Sequence, residues 1–161
     1  MRFEKISEYQ FMKDNVHIRI EYDKIKIPKR ATKCSAGYDF YSPSSFILYP
    51  GESIKLPTGI KVCLDDDRFL MIVPRSSLGF RYRAQLDNSV GIVDADYYNN
   101  AENEGHIWIK ITNDSKDINN VMVVNQGDAI AQGIILKYYT VEDDESDGER
   151  TGGFGSTDKD K

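Results

Sequence analysis

The sequence predicts an all-β fold, either a barrel or a sandwich, in a single domain. Apolar and polar residues alternate in many short runs, turn-forming residues separate these runs, and almost no long stretch has the periodicity of a helix. With 161 residues the chain is long enough to bury a real core and short enough to form one domain.

The first residues are expected to differ from the rest of the chain. We interpret residues 1–15 as an N-terminal extension with a short helix, which would place Phe3, Ile6 and Tyr9 on one face. Over residues 16–22 the pattern changes to the strand period, because apolar residues alternate with polar ones. The first strand of the β domain is therefore predicted there.

Eight further strand-like runs fill the predicted β domain, residues 16–141. Turn signals built from Pro, Gly, Ser and Asn separate the runs, and one helical turn is expected after Pro74-Arg75-Ser76-Ser77. The predicted strands are Phe46–Leu48, Ser53–Lys55, Gly59–Leu64, Phe69–Val73, Val90–Val93, Ile107–Thr112, Val121–Val124 and Ala129–Tyr139.

The composition argues against several classes of function. A formal net charge of −5 gives no overall basic field for nucleic acid, and no run predicts a membrane span or a signal peptide. Cys34 and Cys63 are too few for a disulfide framework, which favours a reduced, cytoplasmic protein. His17 and His106 are far apart, and no CxxC or HxxxH pattern predicts a zinc site.

The C-terminal segment, residues 142–161, combines an acidic run with a glycine-rich tail. Residues 142–149 are nearly all acidic and are expected to form an extended linker. Glycines let the tail backbone approach an anion closely, and a guanidinium, two hydroxyls and one aromatic ring lie beside them. The tail therefore predicts a lid over a phosphorylated ligand with an aromatic ring, formed by Arg150, Phe154, Gly155, Ser156 and Thr157.

Four clusters of polar and glycine residues precede the tail: Ser35–Phe40, Pro74–Gly79, Asn88–Tyr97 and Gln126–Gln132. In the third cluster Asp94 ends an apolar run, where a carboxylate can project into a cleft and take a proton from water. From spacing alone, however, an Asx-type turn residue is the more common explanation.

Other candidates in these clusters have similar alternatives. Arg75, Ser76 and Ser77 could bind phosphate oxygens, or they could mark an ordinary strand exit with an ion pair. Asp39 could orient a metal-bound water or stabilise a turn, and Gln132 could bind phosphate or satisfy the sheet.

Together with the tail, the clusters resemble, in order, the five motifs of the trimeric dUTPase family. The resemblance covers roughly residues 16–157, and five ordered motifs are far more specific than any one of them. The long connection Tyr98–Gly105 is similar to versions from Gram-positive bacteria and their phages. The resemblance implies a β-barrel of jelly-roll type and a homotrimer whose sites each take residues from all three chains.

The resemblance also implies a reaction and a role for each motif. The reaction is the Mg²⁺-dependent hydrolysis of dUTP to dUMP and pyrophosphate, which limits uracil incorporation into DNA and supplies dUMP. Asp94 corresponds to the carboxylate that activates water, Tyr97 to the ring that packs on deoxyribose, and Asp39 to the acid that holds a water of the Mg²⁺ shell. The implied substrate contacts are Asn88, Gly91, Ile92 and Val93 of a uracil-reading hairpin, Asn88–Asp94; Arg75, Ser76, Ser77 and Gln132 around the phosphates and the docked tail; and Arg150, Phe154, Gly155, Ser156 and Thr157 of the lid.

Three alternatives stay open at the level of the sequence. A dCTP deaminase of the same fold needs an acid–base residue, usually Glu, at the pyrimidine 4-position, and no Glu lies between Glu52 and Glu102. A phage-type regulator would act by binding a partner protein, alone or in addition to catalysis. A jelly-roll scaffold or glycan-binding protein would leave the Arg- and Gly-rich tail unexplained.

Overall fold

The fold is described here from a computed structural model, which describes residues 1–15, 20–146 and 148. Strands dominate this part of the chain, and two short α-helices and two single-turn 3₁₀ helices, Tyr22–Lys24 and Ala95–Tyr97, accompany them. In chain order the main elements are β1 Arg2–Lys5, α1 Glu8–Asp14, β2 Lys29–Arg30, β3 Tyr38–Tyr41, β4 Phe46–Leu48, β5 Ser53–Pro57, β6 Ile60–Cys63, β7 Arg68–Pro74, α2 Ser76–Tyr82, β8 Gln85–Leu86, β9 Gly91–Asp94, β10 Trp108–Thr112, β11 Met122–Val124 and β12 Ala129–Lys137.

The largest sheet has five antiparallel strands in the order β2-β3-β12-β7-β9. At its centre β12 pairs with β3 on one side and with β7 on the other. Gly133 lies in this central strand, where an added Cβ would come within 2.8 Å of both Leu70 and Phe40. The absence of a side chain there lets those two buried residues meet over the sheet.

Three smaller antiparallel sheets complete the body, in the orders β5-β10-β8, β1-β6 and β4-β11. The alternation in the sequence decides which side chains face the core: in β10, Ile109 and Ile111 are buried and Lys110 is exposed. The two α-helices are each seven residues long. The prediction of an all-β, jelly-roll-like fold is therefore confirmed.

A hydrophobic core joins these sheets and includes the N-terminal helix. Phe11 of α1, Phe40 of β3 and Leu56 of β5 are all fully buried. Full burial of each such side chain contributes about 1.5–3 kcal/mol. Helix α1 is thus held to the body by the same apolar packing that holds the strands.

The N-terminal fifteen residues form a strand as well as a helix, so the single helix expected there is wrong for its first part. Phe3 belongs to β1 and packs against the rings of Tyr38 and Phe40, at centroid distances of 5.1 and 5.7 Å. Ile6 is buried, but Tyr9 is 81% exposed and does not share an inward face with it. The three-residue spacing of Phe3 and Ile6 imitates a helix, whereas pairing with β6 decides the conformation.

The strand expected over residues 16–22 is described only in part. Residues 16–19 lie outside the described residues, Ile20 is buried, and Tyr22 begins a 3₁₀ turn instead of extending a strand. The other eight predicted strands correspond to β4–β7 and β9–β12, while β1, β2, β3 and β8 were not predicted as strands. Within the described ranges, none of the helices has the length and apolar character needed to cross a membrane.

Candidate active site

A cavity of about 250 Å³ lies beside strand β9, and we call it the β9 cavity. It collects six of the residues that the sequence singled out, together with side chains from β7 and from the connection to β10. The lining residues are Ile72, Asn88, Gly91, Ile92, Val93, Asp94, Tyr97, His106, Ile107 and Trp108.

A second cavity, of about 290 Å³, adjoins the first at Asn88. The two cavities share Ile72, Asn88, Gly91 and Trp108. On the wall of the second cavity, the ammonium of Lys55 lies 4.5 Å from the centroid of the Trp108 ring. The second cavity therefore combines an aromatic surface with a positive charge.

The backbone of β9 offers an open edge to a ligand. β9 is the last strand of the five-stranded sheet within the described chain, so the N–H and C=O groups on its outer side are not used by that sheet. Gly91 starts the strand opposite Ile72, and a Cβ at Gly91 would lie 3.2 Å from the Ile72 Cβ and 3.8 Å from Asn88 Nδ2. Glycine keeps this corner of the cavity open.

The segment Asn88–Asp94 is not a hairpin of two paired strands, so that part of the prediction is wrong. β8 pairs with β10, whereas β9 pairs with β7, and Asn88 lies in a turn between two different sheets. The turn closes through the bond from the Ser89 N–H to the Leu86 carbonyl, and Ser89 has a φ of 63°. The strand period of residues 90–93 was visible in the sequence, but the choice of pairing partner was not.

Asp94 ends β9 opposite Phe69 of β7 and is half-buried. It lines the β9 cavity and also a third cavity, of about 450 Å³, which is shared with Asp66, Asp96 and Tyr138. A carboxylate at such a junction can meet a ligand from one cavity and solvent from the other, as a general base requires.

The ring of Tyr97 forms part of the wall of the β9 cavity, and its hydroxyl is tied into the loop behind. Tyr97 is buried, its hydroxyl donates to the His106 carbonyl at 3.0 Å, and it accepts from Asn103 Nδ2 at 2.8 Å. The amide of Asn100 in turn donates to the Tyr97 carbonyl at 3.0 Å. Both ends of Tyr97 are therefore held by residues of the connection to β10.

His106 is a fully buried polar side chain on the same wall. Its Nε2 accepts from the Gly59 N–H at 2.8 Å, so the ring proton lies on Nδ1, which donates to the Asp14 carboxylate at 2.6 Å. Burial lowers the pKa of His106, and the carboxylate of Asp14 opposes this shift without overcoming it. The neutral imidazole is the form that satisfies both partners.

A second group of predicted residues meets on the five-stranded sheet, and we call Asp39, Gln132 and Arg75 the sheet cluster. The buried Asp39 carboxylate accepts from Gln132 Nε2 at 3.0 Å through Oδ1, and its Oδ2 lies 3.8 Å from the Arg75 guanidinium. Gly37 makes room for this arrangement, because a Cβ there would lie 3.2 Å from Gln132 Cβ and Oε1. The cluster presents amide and guanidinium donors around one carboxylate.

Ser76 and Ser77 continue from the sheet cluster into the first turn of α2, and both are exposed. Arg75 precedes the helix in an extended conformation, and its carbonyl accepts from the N–H groups of Leu78 and Gly79. Arg75, Ser76 and Ser77 therefore form the junction between the end of β7 and the start of α2.

Within one chain, Asp94 and the sheet cluster lie at different ends of β7, although the β9 cavity extends along the strand to Ile72. Asp94 pairs with Phe69, and Arg75 follows six residues later along a nearly extended backbone. At about 3.3 Å per residue, this separation is roughly 20 Å. A single chain therefore does not bring Asp94 next to Arg75 and Ser76.

The sheet cluster suits an indirect contact with a divalent cation, through a water molecule that is bound to the ion. Each Asp39 oxygen faces one protein donor and keeps acceptor capacity for a metal-bound water. In the part of the chain that the structure describes, no group of three His, Cys, Asp or Glu side chains is placed to hold a metal directly. The residues present suit Mg²⁺, which usually keeps waters and phosphate oxygens as ligands.

The predicted lid lies outside the described residues; it consists of Arg150, Phe154, Gly155, Ser156 and Thr157. Conversely, no pattern in the sequence indicated a role for His106 or Asp14. They are 92 positions apart in the chain, and a lone histidine without a ligand-like spacing carries no signal of its own. The burial of His106 and its two short contacts are visible in the structure alone.

A dUTPase family model matches residues 23–158, which is most of the chain. The chain belongs to the dUTPase family.

Individual relatives agree with this assignment. The chain is 39% identical over 135 residues to the deoxyuridine 5'-triphosphate nucleotidohydrolase of Lactococcus lactis subsp. lactis, with 83% of this chain and 88% of that protein covered. The crystal structure of the dUTPase from Streptococcus mutans matches with a TM-score of 0.70 and 29% identity, covering 88% of this chain and 99% of that one. A Staphylococcus bacteriophage 80alpha dUTPase with dUPNHPP has the same fold, with a TM-score of 0.64, 22% identity and 96% of each chain covered.

Proposed function

We propose that the chain hydrolyses dUTP to dUMP and pyrophosphate, with Asp94 as the general base. The observation that carries this proposal is that Asp94, Asn88 and Tyr97 line one cavity along an open strand edge. Asp94 takes a proton from a water molecule, which attacks the α-phosphorus, and pyrophosphate leaves. A general base of this kind typically contributes about 10²–10⁴-fold to the rate.

The β9 cavity suits the nucleoside part of the substrate. The outer edge of β9 can pair with the donors and acceptors of uracil, and Asn88 lies at the mouth of both adjoining cavities. In this proposal the backbone from Gly91 to Val93 lies against the uracil ring and disfavours a 5-methyl group. The ring of Tyr97 packs on the deoxyribose in this proposal and disfavours a 2′-hydroxyl.

The sheet cluster suits the phosphates. Arg75, Ser76, Ser77 and Gln132 supply a guanidinium, two hydroxyls and an amide, which are common partners of phosphate oxygens. Asp39 would hold a water of a Mg²⁺ ion that the triphosphate itself binds. When bound, Mg²⁺ neutralises charge on the phosphates.

The separation of Asp94 from the sheet cluster supports a proposed homotrimer with shared sites. A base near the α-phosphorus and donors around the same triphosphate must lie within a few ångströms of one ligand, whereas one chain holds them roughly 20 Å apart. A site completed by neighbouring chains removes this conflict. The proposed β domain covers residues 16–141, and residues 142–149 form the proposed linker to a lid. The lid completes the proposed site and consists of Arg150, Phe154, Gly155, Ser156 and Thr157.

A substrate panel tests the activity. Purified protein with Mg²⁺ is incubated with dUTP, dTTP, UTP and dCTP, and pyrophosphate, nucleoside monophosphates and ammonia are measured. We expect dUMP and pyrophosphate from dUTP, with much slower turnover of the other three. Turnover of dTTP or UTP at the rate of dUTP would contradict the proposed recognition of base and sugar.

The same panel separates the alternatives. Ammonia from dCTP would indicate the deaminase, although none of the described residues that line the β9 cavity is a Glu. A regulatory role alongside catalysis also stays a proposal. Phage dUTPases related in fold are described as controlling transfer of virulence genes by a proto-oncogenic G protein-like mechanism. Binding of a partner protein by an Asp94→Asn variant would separate such a role from turnover.

A cytoplasmic location completes the proposal. The substrate is a precursor of DNA synthesis, and hydrolysis would limit uracil incorporation and supply dUMP. Cys34 and Cys63 are free thiols, which suits a reducing compartment. Fractionation of cells that express the chain would test this assignment.

A further inference from the structure

Helix α1 is fastened at both ends to one loop, residues 99–106, which we call the bracing loop. At the start of the helix, the Ser7 N–H and hydroxyl donate to the two carboxylate oxygens of Glu104, at 2.9 and 2.5 Å. At its end, Asp14 accepts from His106 Nδ1 at 2.6 Å. The N-terminal segment and the bracing loop therefore form one unit.

The contact at the end of α1 is sheltered from solvent. His106 is fully buried, and the side chain of Asp14 is only 16% exposed. The imidazole has the rings of Trp108 and Phe11 as neighbours, at centroid distances of 5.1 and 6.4 Å. A hydrogen bond to an ionised carboxylate in such surroundings is stronger and more directional than one at the surface.

At the start of α1, charged side chains strengthen the contact between the helix and the bracing loop. Burial acts to raise the pKa of Glu104, but the hydrogen bonds from Ser7 and the charge of Lys61 outweigh it, so the pKa of Glu104 is lowered. Lys61 donates to the Asn99 side chain at 2.7 Å and pairs with Glu104 at 3.4 Å. The bracing loop is thus held from both α1 and β6.

The bracing loop connects directly to Tyr97. The carbonyl that accepts from the Tyr97 hydroxyl belongs to His106, whose imidazole is locked by Asp14 and Gly59. Asn103 of the same loop donates to that hydroxyl. A shift of His106 would therefore change the direction in which Tyr97 presents its ring to the β9 cavity.

We infer that Asp14 and His106 are positioning residues, which fix Tyr97 and thereby set the preference for deoxyribose over ribose. This inference rests on the proposed function, because it assigns sugar recognition to Tyr97. It also gives the N-terminal helix a role, since the carboxylate that locks His106 comes from outside the region with the five motifs. Neither residue needs to touch the nucleotide.

The test measures kcat and KM for dUTP and UTP in Asp14→Ala, Asp14→Asn and Glu8→Gln proteins. Loss of the locking bond in Asp14→Ala is expected to reduce the ratio of kcat/KM for dUTP to that for UTP by about tenfold, the scale of one lost charge-assisted hydrogen bond. Asp14→Asn keeps an acceptor for Nδ1 and should retain most of the ratio. Glu8→Gln removes an exposed carboxylate from the same helix and should leave the ratio unchanged.

A double-mutant cycle shows whether the effect passes through Tyr97. Tyr97→Phe keeps the ring and removes the hydroxyl that bonds to the His106 carbonyl. If Asp14 acts through this bond, adding Asp14→Ala to Tyr97→Phe should change the dUTP/UTP ratio by less than about twofold. Independent, multiplying effects of the two changes would overturn the inference.

The outcomes distinguish the inference from the proposed function. If the wild-type chain does not hydrolyse dUTP, the proposed function fails. If it does, and a folded Asp14→Ala protein keeps the wild-type ratio, the positioning role fails while the proposed function stands. Should Asp14→Ala not fold, Asp14→Asn carries the test: a ratio lowered in the same direction by a smaller factor supports the inference, and an unchanged ratio overturns it.

Discussion

The β9 cavity and the sheet cluster differ in what holds their side chains in place. In the β9 cavity, Tyr97 is fixed by side chains and carbonyls of an irregular loop, which is itself fastened to α1. In the sheet cluster, Asp39 and Gln132 are paired across the antiparallel ladder of β3 and β12, and Arg75 directly follows β7. In the proposed function, sugar recognition therefore depends on a loop held by side-chain contacts, and phosphate binding depends on paired strands.

The largest effect is expected from Asp94→Asn, which should lower kcat for dUTP by roughly 10²–10⁴-fold because the base is lost. Pyrophosphate release measures it. Asp96→Asn is the matched control, since Asp96 lies two residues away and is exposed; it should retain far more activity. An equal loss in both variants would remove Asp94 as the base.

The same variant tests whether the two regions act across chains. Asp94→Asn chains are mixed, by co-expression, with chains that carry Arg75→Ala and Gln132→Ala. If the regions of different chains meet, random assembly restores intact sites and up to roughly a quarter of full activity. If each chain forms its own site, activity does not rise above that of the separate variants.

Asp39→Asn should have the next largest effect. The amide keeps an acceptor for Gln132 but removes the charge that faces Arg75 and a metal-bound water. We expect the Mg²⁺ concentration for half-maximal activity to rise by about 10–100-fold, as for other changes just outside a metal's direct ligands. A Mg²⁺ titration with unchanged midpoint would contradict the placement of Mg²⁺ at the sheet cluster.

Gly105→Ala tests the strain in the bracing loop. Gly105 has a φ of +80°, and a Cβ there would lie 2.5 Å from the Tyr97 carbonyl oxygen. Gly51→Ala is the matched control, because Gly51 has a φ of +89° and nothing within 4 Å of its Cβ position. The control should cost about 1–2 kcal/mol of unfolding free energy from backbone strain, and Gly105→Ala should cost more. Urea unfolding at fixed protein concentration measures both.

The smallest effect is a pH dependence of stability from His106. Burial lowers the pKa of His106 in the folded chain, so the unfolded chain binds its proton first as the pH falls. The contribution of the neutral ring is complete above about pH 6.5 and is lost as the pH falls from there through the lower folded pKa. Urea unfolding between about pH 5 and 7.5 should show this loss.

His106→Gln is the comparison for that measurement, because it cannot titrate. The groups that face His106 are Asp14 of α1, Glu104 of the bracing loop and Lys55 of β5. Carboxylates with lowered pKa, such as Glu104, lose their contribution below their ordinary value of 4.5 and stay outside this range. An identical pH dependence in both proteins would exclude His106 as its source.

The sequence predicted regular strands well and short or context-dependent ones poorly. β4 has the predicted bounds because its alternation is flanked by clear turn residues. β2 and β8 have two residues each, too few for any pattern, and β1 forms only because β6 offers it a partner. Local periodicity cannot report such distant pairing.

The candidate site also contains residues that the sequence indicated and residues that it did not. Asp94, Asn88 and Tyr97 were singled out because they lie in one ordered motif, and the structure places all three on one cavity. His106 and Asp14 were missed because their relation exists only after folding. Sequence spacing reports groups that share a segment, whereas positioning residues are drawn from wherever the fold brings a suitable side chain.

The open edge of β9 has a consequence for the handling of the protein. An uncovered strand edge is a template for pairing with other chains, and Ile92 on this strand is 55% exposed. The backbone groups that would read a base in the proposed function therefore also favour pairing with other chains. Nucleotide that occupies the edge would act as a stabiliser against aggregation during concentration and storage.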